Sequence, residues 1–271
     1  MLRKRKLARR SARRIRYHKR LKWRVKNHPN PVVSIIVPAM NERNTLKGVL
    51  YEASRVHPYS EIIVVANGST DGTETLARKC GARVIAVAEP LGHDIGRRVG
   101  AEAARGQIML FIDADMVIPA MELRPFVKAV KEGVDVALND YSGPTAGREI
   151  HPVVLAKYSL NALLGRSDLK GASLTAVPHA MSRKAVEAIG YSALEVPPVA
   201  LAAAVLRGCK VRAVHSVQVG RLNPVKYKNG RADPLTSLIT GDHLEAVNRL
   251  IQEEGPRGGY GDLGRRRDKV R

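Results

Sequence analysis

The chain has 271 residues, a size that suits one large domain, and a formal net charge of +21. The charge is concentrated at the ends: residues 1–28 contain 14 Lys and Arg and no acid, and residues 257–271 contain six basic and two acidic residues. The body between them is close to neutral, and aromatic residues make up only 4% of the chain, which argues against a nucleic-acid-binding surface built on base stacking. With two distant cysteines, Cys80 and Cys209, and no apolar run of about 20 residues, a disulfide scaffold and a membrane-spanning protein are also disfavoured. We therefore expect a cytoplasmic protein.

The first half of the chain alternates short apolar runs with segments of helical spacing. A basic helix is predicted over residues 1–28, and a Pro-containing break follows it. The order βαβαβαβ that comes next predicts a parallel sheet with right-handed crossovers. The strands are predicted at residues 32–37, 61–66, 82–87 and 107–112, and the helices at 44–56, 73–80 and 95–104.

The second half is less regular. Helices are predicted at residues 125–132, 150–164, 183–189, 199–207 and 235–254, and strands at 134–139, 174–182 and 210–219. The basic segment beyond residue 255 is predicted to be disordered.

Two aspartates, Asp113 and Asp115, follow the apolar run that ends at Ile112. Parallel α/β sheets bind ligands at the carboxyl edge, which is where a strand ending at Ile112 would deliver both carboxylates. Neighbouring carboxylates repel each other, so they favour a divalent cation placed between them and a phosphate. The pair alone would also suit a solvated loop, and the other strand ends decide between the two interpretations.

Polar clusters follow the other three strands as well. The first strand is followed by Asn41-Glu42, and the second by Asn67 in a Gly-containing turn. The third is followed by a Gly-containing loop that enters a helix, an arrangement that suits phosphate, and Arg97 or Arg98 in that helix could pair with a diphosphate. Each cluster alone is ordinary turn chemistry. Together at one sheet edge they predict a nucleoside-diphosphate site.

Three segments resemble the signature of glycosyltransferase family 2: 33–42 (VSIIVPAMNE), 61–73 (EIIVVANGSTDGT) and 106–115 (GQIMLFIDAD). The resemblance covers residues 32–118 and continues more weakly to about residue 215. It implies a GT-A (Rossmann-like) fold, a nucleotide-sugar donor (UDP-sugar first, GDP-sugar second) and Mg²⁺ or Mn²⁺ at the aspartate pair. It also implies a hexosyltransferase that uses an acceptor hydroxyl in polysaccharide, glycolipid or cell-envelope glycan synthesis.

The resemblance also implies roles for individual residues. Asp113 would face the ribose or the sugar, and Asp115 would bind the metal. The remaining donor contacts would come from Pro38, Asn41, Glu42 and Asn67, with Asn67 near the base. Where the family often has Asp-Asp after the second strand, this chain has Ala66-Asn67.

The expected organisation has four parts. Residues 1–30 form a basic extension, 31–118 the nucleotide-sugar-binding half, 119–255 the acceptor-side half of the same domain, and 256–271 a basic tail. The basic extension, within residues 1–28, has three open interpretations: nucleic acid, an anionic membrane surface or an anionic polymer. We favour the last two, so the protein would lie at the inner face of the membrane or on a polyanion.

The catalytic base has two candidates, Asp242 and then Glu195. The family's late acidic pair is missing, because prolines follow Glu195 where the acids would fall. Asp242-His243 comes before helical spacing, so Asp242 would be the base and His243 a further metal ligand. Asp242 with Glu245 would equally form a helix-capping box.

Two further histidines and three rival functions also enter the interpretation of the sequence. His179 and His215 lie on or beside apolar strands and are expected to be satisfied core or edge residues. The rival functions are a nucleotidyltransferase, a polyanion-binding protein, and a degenerate transferase that binds donor without turnover. A nucleotidyltransferase needs a Gly-rich basic loop after the first strand, and residues 39–42 (AMNE) do not provide one.

Overall fold

A computed structural model describes residues 23–145, 149–222, 233–266 and 269. The predicted basic helix lies mostly outside the described residues, in 1–22. Where it is described the prediction is wrong, because residues 23–28 form no helix and bind to the domain. The Val25 N–H donates to the Cys80 carbonyl at 2.7 Å, and the Asn27 side-chain oxygen accepts from the Ile62 N–H at 2.8 Å.

The described residues contain a mixed sheet of seven strands in the order β3-β2-β1-β4-β6-β5-β7. All pairings are parallel except those of β6, which runs antiparallel to β4 and to β5. The strands are β1 (Val33–Ala39), β2 (Ser60–Asn67), β3 (Arg83–Val87), β4 (Ile108–Phe111), β5 (Val136–Asn139), β6 (His179–Ser182) and β7 (Val211–His215).

Helices cover both faces of this sheet, and a last helix lies against them. They are α1 (Arg43–Ala53), α2 (Thr73–Lys79), α3 (Ile95–Ala103), α4 (Ala120–Lys131), α5 (Pro152–Leu163), α6 (Arg183–Ile189), α7 (Pro197–Leu206), α8 (Val219–Leu222) and α9 (Pro234–Glu254). Within the described ranges, no helix is both long enough and apolar enough to cross a bilayer.

The core forms two apolar layers because the side chains of each central strand alternate between the faces. On β1, Val33, Ile35 and Val37 point into the layer shared with α1 and α4. Ile36 points the other way, into the layer shared with α3, α6 and α7. Both faces of β1 are therefore buried, which explains why its sequence is a continuous apolar run.

The predicted βαβαβαβ order and mostly parallel sheet are confirmed. Three predictions in the second half need correction. The helix predicted at 125–132 begins earlier, at Ala120, and the strand predicted at 174–182 is limited to His179–Ser182. Residues 256–266, predicted to be disordered, contact the domain, since the Tyr260 hydroxyl donates to the Ala162 carbonyl at 2.9 Å.

Candidate active site

A cavity of about 170 Å³ lies at the carboxyl edge of the sheet, where β1, β2 and β4 end and α3 begins. The chain moves from β1 towards β3 on one side and returns to β4 on the other, so this edge is a topological switch point, the usual ligand position in such sheets. The lining residues come from four loops: Pro38, Ala39, Met40 and Glu42; Asn67; Gly92, His93, Asp94, Gly96 and Arg97; Asp113, Ala114 and Asp115.

The loop after β1 contributes Pro38 and Glu42 to the cavity wall. Asn41 adopts a left-handed backbone (φ 57°), and its side-chain oxygen accepts from the Thr70 N–H at 2.8 Å. Asn41 is outside the set that lines the cavity and holds the loop after β2 instead. We therefore assign it a supporting position.

Asn67 is 7% exposed and lines the cavity, but both ends of its amide bind the loop that follows β3. Its nitrogen donates to the Gly92 carbonyl at 3.1 Å, and its oxygen accepts from the Leu91 N–H at 2.6 Å. Asn67 thus fixes the backbone that leads into α3.

Arg97 connects the start of α3 to the aspartate pair. Its guanidinium contacts Asp94 at 2.8 Å and Asp113 at 3.5 Å, and its side chain is only 7% exposed. Gly96 lets α3 approach β1 closely, since a Cβ there would lie 3.1 Å from Cβ of Pro38. Arg97 therefore forms a buried ion pair with Asp94 at the start of α3 and reaches the partly exposed carboxylate of Asp113.

Asp113 and Asp115 both line the cavity, and the Asp113 carboxylate is 35% exposed. Thr45, in the first turn of α1, donates to the Ala114 carbonyl at 2.7 Å and contacts Glu42 at 3.2 Å. This hydroxyl fixes the aspartate loop against the loop after β1. Among the described residues, no three His, Cys, Asp or Glu side chains are positioned together for a metal ion.

The two candidate bases differ in their surroundings. Burial, Asp94 and Glu245 raise the pKa of Asp242, and its interaction with Asp94 and His93 places it across from the loop that enters α3. Glu195 is outside the cavity lining, and its carboxylate pairs with Arg98 at 2.7 Å. Asp242 is likewise outside the cavity lining, so its link to the site is the interaction with Asp94 and His93 alone.

The capping-box interpretation of Asp242 is wrong, because α9 begins at Pro234 and Asp242 lies inside it. The N-cap is Asp233, whose side chain accepts from the Leu235 N–H at 3.0 Å. His243 is not brought to the aspartate pair: its Nδ1–H donates to the Ile239 carbonyl at 2.6 Å, and it faces Lys157.

The other two histidines lie where the sequence places them. His179 is buried against Phe111, and its burial together with the charge of Arg97 lowers its pKa to about 3. His215 pairs with Glu122 at 2.7 Å at the end of β7.

The cavity wall also contains residues that were not predicted as site residues, among them Met40, His93 and Asp94. Met40 is half exposed and gives the wall an apolar surface. Asp94 has a left-handed backbone (φ 63°) and anchors Arg97. Their positions in the sequence indicate this site, because Met40 follows the first strand and His93 and Asp94 lie in the loop after the third strand.

A mostly parallel α/β sheet with a cavity at its switch point and two carboxylates after β4 defines a GT-A-type nucleotide-binding fold. The chain belongs to glycosyltransferase family 2, whose model matches residues 34–188.

Several relatives support this placement. A crystal structure of glucosyl-3-phosphoglycerate synthase from Mycobacterium tuberculosis, in complex with Mn²⁺, UDP and phosphoglyceric acid, has the same fold, with TM-score 0.59 and 24% identity over 86% of this chain and 81% of that one. The same enzyme is 30% identical over 126 residues, 41% of this chain and 38% of that protein. A dolichyl-phosphate hexose transferase from Haloferax volcanii is 29% identical over 120 residues, 44% of this chain and 51% of that protein. The chain thus spans 51% and 38% of the length of these two curated relatives.

Proposed function

We propose that this protein transfers a hexose from a nucleoside-diphosphate sugar, with UDP as the first-choice nucleotide and GDP as the second, to an acceptor hydroxyl. The observation that carries the proposal is the cavity at the switch point, where two carboxylates and the start of α3 face the same space. The family and the Mn²⁺ and UDP named for the structural relative agree with it. Synthesis of a polysaccharide, glycolipid or cell-envelope glycan is the expected setting.

The diphosphate is assigned to the start of α3. The dipole of a helix N-terminus favours an anion, and Gly92 and Gly96 let the backbone approach closely. Arg97 would hold Asp113 in place beside the diphosphate. Pro38, Glu42, Asn67 and Met40 would form the wall for the nucleoside.

The carboxylates of Asp113 and Asp115 suit Mg²⁺ or Mn²⁺, because both ions prefer oxygen ligands. Two carboxylate ligands from the protein are sufficient, since substrate phosphates and water commonly complete the coordination of such ions. A bound ion would neutralise charge on the leaving diphosphate. His243 is not needed for this ligand set.

Asp242 is proposed as the general base. It would take the proton of the acceptor hydroxyl as that oxygen bonds to the anomeric carbon and the bond to the diphosphate breaks. Its raised pKa suits this role, because a carboxylate with a higher pKa is the stronger base. Glu195 is the second candidate and would first have to leave Arg98.

A donor-binding protein without turnover is the competing function. The observation that favours it is the start of α7, where Pro197 and Pro198 stand at the positions of the family's late acids. This function predicts nucleotide binding without any release of UDP from the donor, whereas a transferase releases it.

The basic N-terminal extension is proposed to rest on an anionic membrane surface or polyanion. Each basic residue near an anionic surface contributes about 1 kcal/mol. Deletion of residues 1–22 is expected to abolish binding to vesicles containing phosphatidylserine while nucleotide binding stays unchanged. Equal vesicle binding by the full and shortened chains would contradict this assignment.

Thermal denaturation with UDP, GDP, CDP and dTDP, each with and without Mn²⁺, tests the proposed donor. One nucleotide is expected to raise the melting temperature only with metal, and Asp115→Asn is expected to abolish that shift. Asp168→Asn is the matched control, because Asp168 forms a surface ion pair with Arg166 away from the cavity. No shift with any nucleotide would contradict the proposal.

A further inference from the structure

A second cavity, of about 610 Å³, opens at the same carboxyl edge of the sheet, beyond the ends of β5 and β7. Asp140, Tyr141 and Ser142 follow β5 and line it, together with Tyr158 from α5, Lys170 and Arg221. Nothing in the donor cavity involves these residues. We refer to this space as the Tyr141 cavity.

The Tyr141 cavity lies close enough to the donor cavity to serve the same reaction. β5 runs parallel to β4, because both pair antiparallel with β6 between them. Two strand spacings separate the ends of β4 and β5, which is about 10 Å. A molecule the size of a small phosphorylated alcohol would therefore span from the Tyr141 cavity towards a sugar held near Asp113.

The charges around the Tyr141 cavity are mainly positive. Lys170 and Arg221 line it, against the single acid Asp140 among its lining residues. Behind the wall, the ammonium of Lys157 lies 3.5 Å from the carbonyls of Tyr141 and Ser142.

Lys157 is 6% exposed, and burial lowers its pKa to about 8. It therefore remains mostly charged at neutral pH. Among the described residues no acid forms an ion pair with it, so its positive charge adds to the attraction for an anion.

The loop that carries Lys170 is held in a strained conformation. Lys170 has φ 52°, unusual for a residue with a side chain. Asn161 donates to the Lys170 carbonyl at 2.8 Å and to the Ala172 carbonyl at 2.9 Å, and the Gly171 N–H donates to the Ser142 hydroxyl at 3.1 Å. Strain that the surroundings maintain is concentrated at functional sites, and here it fixes Lys170 at the mouth of the cavity.

We propose that the Tyr141 cavity binds the phosphate group of a phosphorylated acceptor, with Lys170 and Arg221 as its charged ligands and the hydroxyls of Tyr141, Ser142 and Tyr158 as further donors. Flexible ammonium and planar guanidinium groups together with hydroxyls are the usual protein ligands of phosphate. The acceptor role rests on the proposed function, whereas phosphate binding at this place does not depend on it.

Calorimetric titration with glycerol 3-phosphate, without nucleotide or metal, tests the site. Lys170→Met and Arg221→Gln are each expected to weaken binding about tenfold or more, since charge-assisted hydrogen bonds to phosphate are lost. Lys79→Met, at an exposed position of α2 at the other end of the sheet, is the control and is expected to leave the affinity unchanged.

Because no nucleotide is present, loss of UDP binding would not affect this titration, and the two proposals fail separately. Unchanged affinity in both Lys170→Met and Arg221→Gln would overturn the proposal. So would an equal loss in the Lys79→Met control, because the effect would then be one of net charge.

The same phosphate chemistry occurs in soluble phosphate esters and in lipid phosphates. Phosphatidylcholine vesicles containing phosphatidic acid form the second arm, with the same variants. Both arms use full-length protein, so any contribution of residues 1–22 is equal throughout. If Lys170→Met and Arg221→Gln weaken binding in one arm, that arm identifies whether the phosphate belongs to a soluble ester or to a lipid. If neither variant changes binding in either arm, the assignment is overturned.

Discussion

Arg97→Met is expected to damage both stability and donor binding. The guanidinium of Arg97 is buried between Asp94, whose side chain is 6% exposed, and the half-open carboxylate of Asp113. Removing one partner of a buried ion pair leaves an uncompensated charge and costs about 3–5 kcal/mol. Because Asp113 is 35% exposed and partly solvated, we place the loss at the lower end, about 3 kcal/mol.

The next residue, Arg98, provides a matched control. Arg98 pairs with Glu102 and Glu195 at 2.8 and 2.7 Å, but all three side chains are solvated. Arg98→Met should leave the free energy of unfolding close to the wild-type value, because water screens exposed pairs. Urea denaturation of the two variants gives this comparison directly.

Calorimetry with UDP and Mn²⁺ provides the functional half of the test. Arg97→Met is expected to weaken nucleotide binding by tenfold or more, and Arg98→Met to leave it unchanged. Adding Asp94→Asn to Arg97→Met removes one of the stranded charges and should restore part of the stability. Equal destabilisation by both arginine variants, or normal UDP binding by Arg97→Met, would refute this account of the buried pair.

The remaining predictions concern pH and packing. Glu245→Gln removes a negative charge that raises the pKa of Asp242, so the low-pH side of the pH profile for the rate of UDP release should move to lower pH. A profile whose low-pH side does not move would exclude Asp242 as the base. Lys157 has a pKa of about 8 when folded and a normal, higher value when unfolded, so the unfolded chain binds more protons between these values. The melting temperature of the wild type should therefore rise relative to Lys157→Met above pH 8, and parallel pH curves would contradict the buried amine. Gly100→Ala places a Cβ against Ile36 and should lower the free energy of unfolding, measured in urea, by about 1–3 kcal/mol, although alanine has the better helix propensity. An unchanged free energy of unfolding would contradict the close contact of α3 with β1.

The central strands could be predicted from the sequence because both faces of β1 and β2 are buried, which produces continuous apolar runs between turn residues. Segments at the edge of the sheet and the ends of elements were harder to predict. Residues 23–28 bind the domain through backbone groups, such as the bond from Val25 to Cys80, that leave no periodic pattern. The start of α9 was readable, since Asp233-Pro234 is a normal N-cap and first-turn pair.

The location of the cavity could be predicted from the sequence, because consecutive strands deliver polar residues to one edge of the sheet. The contacts inside it could not. Asn41 and Asn67 suit nucleotide contacts by residue type, yet their amides bind loops some 25–29 positions away. Sequence spacing does not show such partners. The pairing of Glu195 with Arg98, 97 positions apart, was hidden for the same reason.

The most direct test of the central claim is calorimetric titration of the protein with UDP, with and without Mn²⁺, on the wild type and on Asp115→Asn. The account predicts binding that requires the metal and is weakened at least tenfold in Asp115→Asn, with Asp168→Asn unchanged. UDP binding that is indifferent to both Mn²⁺ and Asp115, or no binding under any of these conditions, would contradict a metal-dependent donor site between the start of α3 and the aspartate pair.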